Sequence, residues 1–288
     1  MPKGGVGYVV QVHNFSYGLL NPGLAYLTSC LGCFLGLQCT ARARAMQGAQ
    51  RARWLLLAAV SIGVTGIWVM HFIAMLGFSI PGQAITYNVP VTILSMLIAV
   101  GVVSVGLLIV GFGGEGPRPL LLGGTIIGLG VASMHYMGMW AMRMPDTMGY
   151  NPRLLIASVL IAIVAGTAAL WAALRLGNVW HTLLASLIMG VAVSGMHYTG
   201  MAAMQVTAAP GGGMAAMGAG VSGRAFLLPL ILGITAVSFV LAAIITLAPT
   251  EAELREDAAL MERIARMSGN RGGRSPDSAG ALRRPDVL

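Results

Sequence analysis

Three short stretches of the chain set a histidine beside methionines at one spacing. They are Met70-His71-Phe72-Ile73-Ala74-Met75, Met134-His135-Tyr136-Met137-Gly138-Met139 and Met196-His197-Tyr198-Thr199-Gly200-Met201. On a helix, residues i and i+4 share a face, so His71 stacks with Met75, His135 with Met139 and His197 with Met201. Each helix then offers one imidazole and one thioether on a single stripe, and Met142 and Met204 prolong two of the stripes. Imidazole suits zinc, copper, iron and nickel, whereas thioether sulfur favours Cu(I). A mixed His and Met set without carboxylate or thiolate points to copper first and to haem iron second. Two plainer readings stand beside it. Methionine fills irregular gaps in apolar packing, and the chain holds 19 of them. Buried histidines can also do no more than hydrogen-bond between helices.

The elements that carry these residues follow from composition. Of 288 residues 57% are hydrophobic and 9% charged, and mean hydropathy is +0.81, whereas soluble chains carry about 25% charged residues to cover their surface. A water-soluble globule is excluded. Apolar runs of about 20 residues, enough to cross a bilayer, lie at 19–40, 54–78, 89–112, 120–142, 153–174, 182–204 and 225–248. The expected fold class is all-α: a polytopic membrane protein of seven transmembrane helices. Residues 1–18 form an extracytoplasmic segment in this reading, 19–248 the membrane domain, and 249–288 a cytoplasmic short helix and disordered tail.

The net charge of +8 reads as topology rather than nucleic-acid binding, because the arginines flank apolar runs. Arg42, Arg44, Arg51, Arg53, Arg118, Arg175, Arg255, Arg263 and Arg266 fall on one side, and Lys3, Arg143, Arg153 and Arg224 on the other. The N-terminus is therefore expected outside and the C-terminus in the cytoplasm of a multi-pass cell-membrane protein. Trp54, Trp171 and Trp180 at inner ends and Trp140 at an outer end agree with those boundaries. The first span is expected to serve as its own insertion signal, since no removable signal peptide is legible in the first eighteen residues.

The motif is an internal repeat. Its histidines are 64 and then 62 residues apart, and a second marker, Tyr87-Asn88 and Tyr150-Asn151, opens the third and fifth spans. Each repeat is a helix pair, which returns the chain to its starting side, so spans two, four and six run in one direction with the motif in the outward third. Three two-helix repeats plus a seventh helix result. Packed about a pseudo-threefold axis, they bring the three histidines together near the outer face. His13, in the outer N-terminal segment, is placed to fold back as a further nitrogen ligand or to remain a solvated tail residue. His181 lies about 24 Å from His197 along span six and is excluded.

With its three motif copies and seven spans, the chain resembles the bacterial MHYT-domain integral membrane sensors, over residues 10–248. The motif that names them stands intact at Met196, His197, Tyr198 and Thr199. The resemblance implies a sensor of oxygen, carbon monoxide or nitric oxide that binds copper through the motif's His and Met residues. Many members of that family are fused to cytoplasmic domains that make or hydrolyse cyclic di-GMP. Phe72 and Met137 depart from the motif, so a phenolic hydroxyl is not required in every copy. About forty residues follow the last span, so output is expected from an unknown cytoplasmic partner or from the tail.

The remaining residues mostly exclude. Cys30, Cys33 and Cys39 share one apolar segment and read as packing; Gly124 and Gly128 have the spacing of a close helix approach. Lys3 is the only lysine, and all nine acids lie in loops or tails, which disfavours a retinal protein and a carboxylate-driven carrier. No catalytic constellation is visible, so no enzyme activity is expected. Thr250 and Glu253 fit a capping box, opening a short amphipathic helix that ends by Gly269. Two functions compete with the sensor: copper transport or storage, and a haem-binding membrane redox protein.

Overall fold

A computed structural model of the chain describes residues 10–114, 116–176, 178–208, 221–247 and 259–266. Seven helices among these are long and apolar enough to cross a membrane. They are α1 (Leu20–Ala45), α2 (Gly48–Met75), α3 (Val89–Gly113), α4 (Pro117–Trp140), α5 (Pro152–Arg175), α6 (Val179–Ala203) and α7 (Gly223–Leu247). Asparagine starts three of them: Asn88, Asn151 and Asn178 accept from the backbone N–H groups of Val91, Arg153 and Trp180, satisfying donors that a helix start leaves orphaned. α1 and α2 extend several residues past the predicted apolar runs. The extension carries Arg42, Arg44, Arg51 and Arg53, whose stems continue the helix where lipid gives way to water.

The first six helices form a ring, each packed on its chain neighbours, with α6 closing onto α1. Glycine permits the tightest approaches. A Cβ on Gly32 would collide with the Gly66 backbone of α2, and Cβ atoms on Gly124 and Gly128 would collide with Thr167 and Ile163 of α5. The Gly124 and Gly128 pair is thus used inside the chain. α2 is π-helical over Ser61–Val69, the turns directly before the first motif; such segments re-phase a helix and recur at functional sites. α7 joins the ring through Thr65 and Ser238, whose hydroxyls are 2.7 Å apart.

Short strands cover the end of the ring that carries the motifs. They are β1 (Thr86–Tyr87), β2 (Met142–Arg143), β3 (Thr147–Tyr150), β4 (Met204–Thr207) and β5 (Val221–Ser222). Their register repeats the sequence repeat: Tyr87 pairs with Met142, and Tyr150 with Met204. His13 bridges Ser79 in the same manner. The segments entering α1, α3 and α5 each pair with the segment leaving the next helix, whereas β5, which enters α7, pairs with β1. Tyr87 is buried there and Tyr150 half-buried. Burial raises the Tyr87 hydroxyl from its ordinary pKa, and burial, with nearby Tyr136, pushes that of Tyr150 up to about 12.

The opposite end is closed by arginine. Arg44 donates to the Ala173 carbonyl at 2.6 Å and to that of Leu176, both at the C-terminus of α5; Arg42 donates to the Ile245 carbonyl of α7. Cationic donors suit helix C-termini, whose last carbonyls lack partners. The chain divides into a unit over Met1–Thr246, which holds the ring, and another over Leu247–Leu288. In the latter, residues 259–266 are helical, with an exposed Glu262–Arg266 pair at 3.6 Å. Thr250, Glu253, Gly269 and the tail expected to be disordered lie outside the described residues.

Candidate metal centre

His71, His135 and His197 sit in the last two turns of α2, α4 and α6, and the ring geometry turns all three inward. Each is at most 1% exposed. The imidazoles meet edge to face, with centroids 4.9–5.0 Å apart, and their Nδ1 atoms form a triangle. Its edges are 3.0 Å from His71 to His197, 3.2 Å from His135 to His71 and 3.3 Å from His197 to His135.

Protons alone cannot satisfy that triangle. A neutral imidazole presents at Nδ1 either an N–H or a lone pair, never both. Among three such atoms at least two are alike, so at most two of the edges can be hydrogen bonds and the third is repulsive. The Nε2 atoms of His71 and His135 are also buried without a hydrogen-bond partner. An unmade bond at a buried polar atom costs about 1–3 kcal/mol. A cation at the centre resolves the conflict, because three lone pairs then point at one positive charge. The edges place each Nδ1 about 1.8 Å from the triangle's centre, close to the ~2.0 Å of an imidazole–metal bond. A first-row metal fits these residues.

The residues around the triangle explain its precision. A Cβ on Gly138 would strike His71 Nε2, and one on Gly200 would strike His135 Nε2. Each of these imidazoles therefore rests its outer edge on the motif glycine of the next repeat. Packing fixes the ring where a carboxylate or carbonyl acceptor commonly does. The aromatic residue after each histidine packs on a ring from the covering segments: Phe72 on Tyr87 of β1 at 5.9 Å, Tyr136 on Tyr150 of β3 at 5.3 Å and Tyr198 on Phe15, ahead of α1, at 5.5 Å. That contact needs a ring, not a hydroxyl, which accounts for Phe72. Tyr136 also hydrogen-bonds Ser158, at 2.7 Å.

Met75, Met139 and Met201, one turn further toward the cover, are buried to 4% or less. His13 is exposed and is not one of the three histidines that converge. Its backbone shows why: with Asn14 it occupies the place of Tyr87-Asn88 and Tyr150-Asn151, bridging Ser79 as those tyrosines pair with Met142 and Met204. His181 is exposed, and the three cysteines are free and buried.

A family profile described as the bacterial signalling protein N-terminal repeat, MHYT, matches residues 65–124 and 128–186. The chain belongs to the MHYT family. The two matches contain His71 and His135; His197, with the literal motif, follows just beyond them. The bifunctional diguanylate cyclase/cyclic di-GMP phosphodiesterase MucR of Pseudomonas aeruginosa is 38% identical over 195 residues, 66% of this chain and 28% of that protein. The cyclic di-GMP phosphodiesterase NbdA of the same organism is 40% identical over 212 residues, 72% of this chain and 26% of its own length. The signaling protein YkoW of Bacillus subtilis is 29% identical over 187 residues, 62% of this chain and 23% of that protein. The chain thus spans about a quarter of the length of these relatives. No solved structure matches it. The chain is a multi-pass membrane signalling module built from MHYT repeats.

Proposed function

We propose that this module is a copper-dependent sensor: the Nδ1 atoms of His71, His135 and His197 hold one copper ion, and a diatomic gas or a redox change alters its coordination. The observation that carries the reading is the triangle of 3.0–3.3 Å edges, which no arrangement of protons satisfies. Three neutral nitrogens suit zinc, iron or copper equally. The buried sulfur layer of Met75, Met139 and Met201 tilts the choice toward Cu(I), which thioether sulfur favours. Bound copper would supply an open coordination position for oxygen, carbon monoxide or nitric oxide. The Nδ1 atoms touch one another, leaving no gap for a porphyrin plane between any two, so the haem reading lacks support.

The arginine-rich end faces the cytoplasm in this proposal, and the motif end faces outward. Rigid helices link the two, so a change at the triangle reaches the opposite end as a shift of α2, α4 and α6. The relatives' names connect their chains to cyclic di-GMP; we assign this chain the sensing role upstream of such chemistry. Copper transport is the second reading, favoured by one observation: Cys33, Met189 and Met196 line a single cavity on the ring's axis.

Copper stoichiometry of the purified chain tests the sensor, beside the His71→Asn, His135→Asn and His197→Asn triple variant. One copper per wild-type chain and none in the variant is expected. A metal-free wild type after anaerobic Cu(I) loading would end the proposal. Copper uptake into vesicles would favour transport instead.

A further inference from the structure

On the ring's axis lies a cavity of about 50 Å³ lined by residues from all six ring helices. Its wall is aliphatic apart from the sulfurs of Cys33, Met189 and Met196. Three of the lining residues are Ile67, Val131 and Val193, and each precedes its histidine by four residues. One turn of helix therefore separates every member of this set from His71, His135 or His197. The three form a thin aliphatic layer between the nitrogen triangle and the cavity.

The volume is several times the ~10–15 Å³ that one water needs, but a water also needs two to four polar partners. The lining gives it almost none, and apolar cavities of this kind stay dry and take up small apolar molecules such as xenon. The two faces of the nitrogen triangle thus differ. Toward the strand cover stand Met75, Met139 and Met201; toward the cavity stand Ile67, Val131 and Val193, with Met196, next to His197, also on the cavity wall.

We infer that this axial cavity is a binding site for small uncharged gas molecules and the route by which they reach the histidine triangle from within the bilayer. Oxygen, nitric oxide and carbon monoxide dissolve better in hydrocarbon than in water, so a dry axial chamber beside the ligand set raises their local concentration while excluding ions and water. Rotamer changes in Ile67, Val131 and Val193 admit them. The link to the triangle rests on the copper reading above; occupation of the cavity does not.

Xenon separates the two. With the full chain in detergent, ¹²⁹Xe chemical shifts against xenon pressure should show a saturable site, and Ala162→Leu or Ala165→Leu, each adding bulk to the cavity wall, should abolish it with copper content unchanged. In the Cu(I)-loaded protein, carbon monoxide recombination after photolysis should slow at least about tenfold in either variant, since even one methylene in an apolar pocket discriminates by that much and Ala→Leu adds three carbons, and quicken in Val193→Ala. A wild type that takes up no xenon saturably overturns the inference, as do folded Ala162→Leu and Ala165→Leu proteins that keep both xenon and the wild-type recombination rate. Saturable xenon in a chain that binds no copper would sink the metal centre and leave the cavity standing.

Discussion

The two ends of the helix ring treat buried polar groups in opposite ways. At one end Arg44 and Arg42 donate to the carbonyls of Ala173, Leu176 and Ile245, and Arg42 and Arg51 lie 5.5 and 5.6 Å from the rings of Trp54 and Phe112. There the chain supplies carbonyl partners for Arg42 and Arg44, while Arg51 Nε is buried without one. At the other end three imidazoles meet with one another and cannot all be satisfied, and two Nε2 atoms have no partner. Ionisable groups inside a membrane are costly, so the contrast is informative. Single unmatched polar atoms occur elsewhere, Ser29 Oγ and Ser194 Oγ among them, but among the described residues three ring nitrogens converge on one point only at His71, His135 and His197, and that convergence marks where something other than protein belongs.

Substitutions should respect that division. The largest effect is expected from His135→Asn, which removes one of three nitrogens: copper affinity should fall by more than about 100-fold in a competition titration, with helical circular dichroism unchanged. A smaller loss, about 10- to 100-fold, should follow Gly138→Ala or Gly200→Ala. Either Cβ pushes an imidazole off its seat without touching a ligand atom, and undiminished copper binding would show that the glycines do not position the rings. Arg44→Ala should reverse the pattern, lowering stability by about 1–2 kcal/mol through its lost carbonyl bonds in denaturant titrations while copper affinity holds. Coupling between Arg44 and copper would break the proposed separation of the ends. Least of all, His13→Ala should change copper affinity by less than about twofold, since its exposed imidazole stands at a strand position; a clear loss would restore it as a ligand.

Much of this was legible in the residues. Hydropathy gave seven spans, and the repeat with its parity argument put three histidines at one depth, as the triangle bears out. What escaped depended on neighbours distant in sequence. Gly138 and Gly200 look like ordinary motif glycines until the next repeat's imidazole is seen resting on each. His13-Asn14 is the first copy of the Tyr-Asn marker, hidden because one of its two residues differs. The aliphatic residues four before each histidine look like any lipid-span residue, and only the closed ring shows that Ile67, Val131 and Val193 face one cavity. Arg42 and Arg44 read as topology signals, which their charge supports, but their capping of α5 and α7 requires the tertiary fold.

X-ray absorption at the copper K-edge of the Cu(I)-loaded chain tests the central claim most directly. The account predicts imidazole scattering from three nitrogens at about 2.0 Å, lost in the triple histidine variant. A copper bound only by sulfur or solvent oxygen, or a spectrum unchanged when His71, His135 and His197 are replaced, would contradict it.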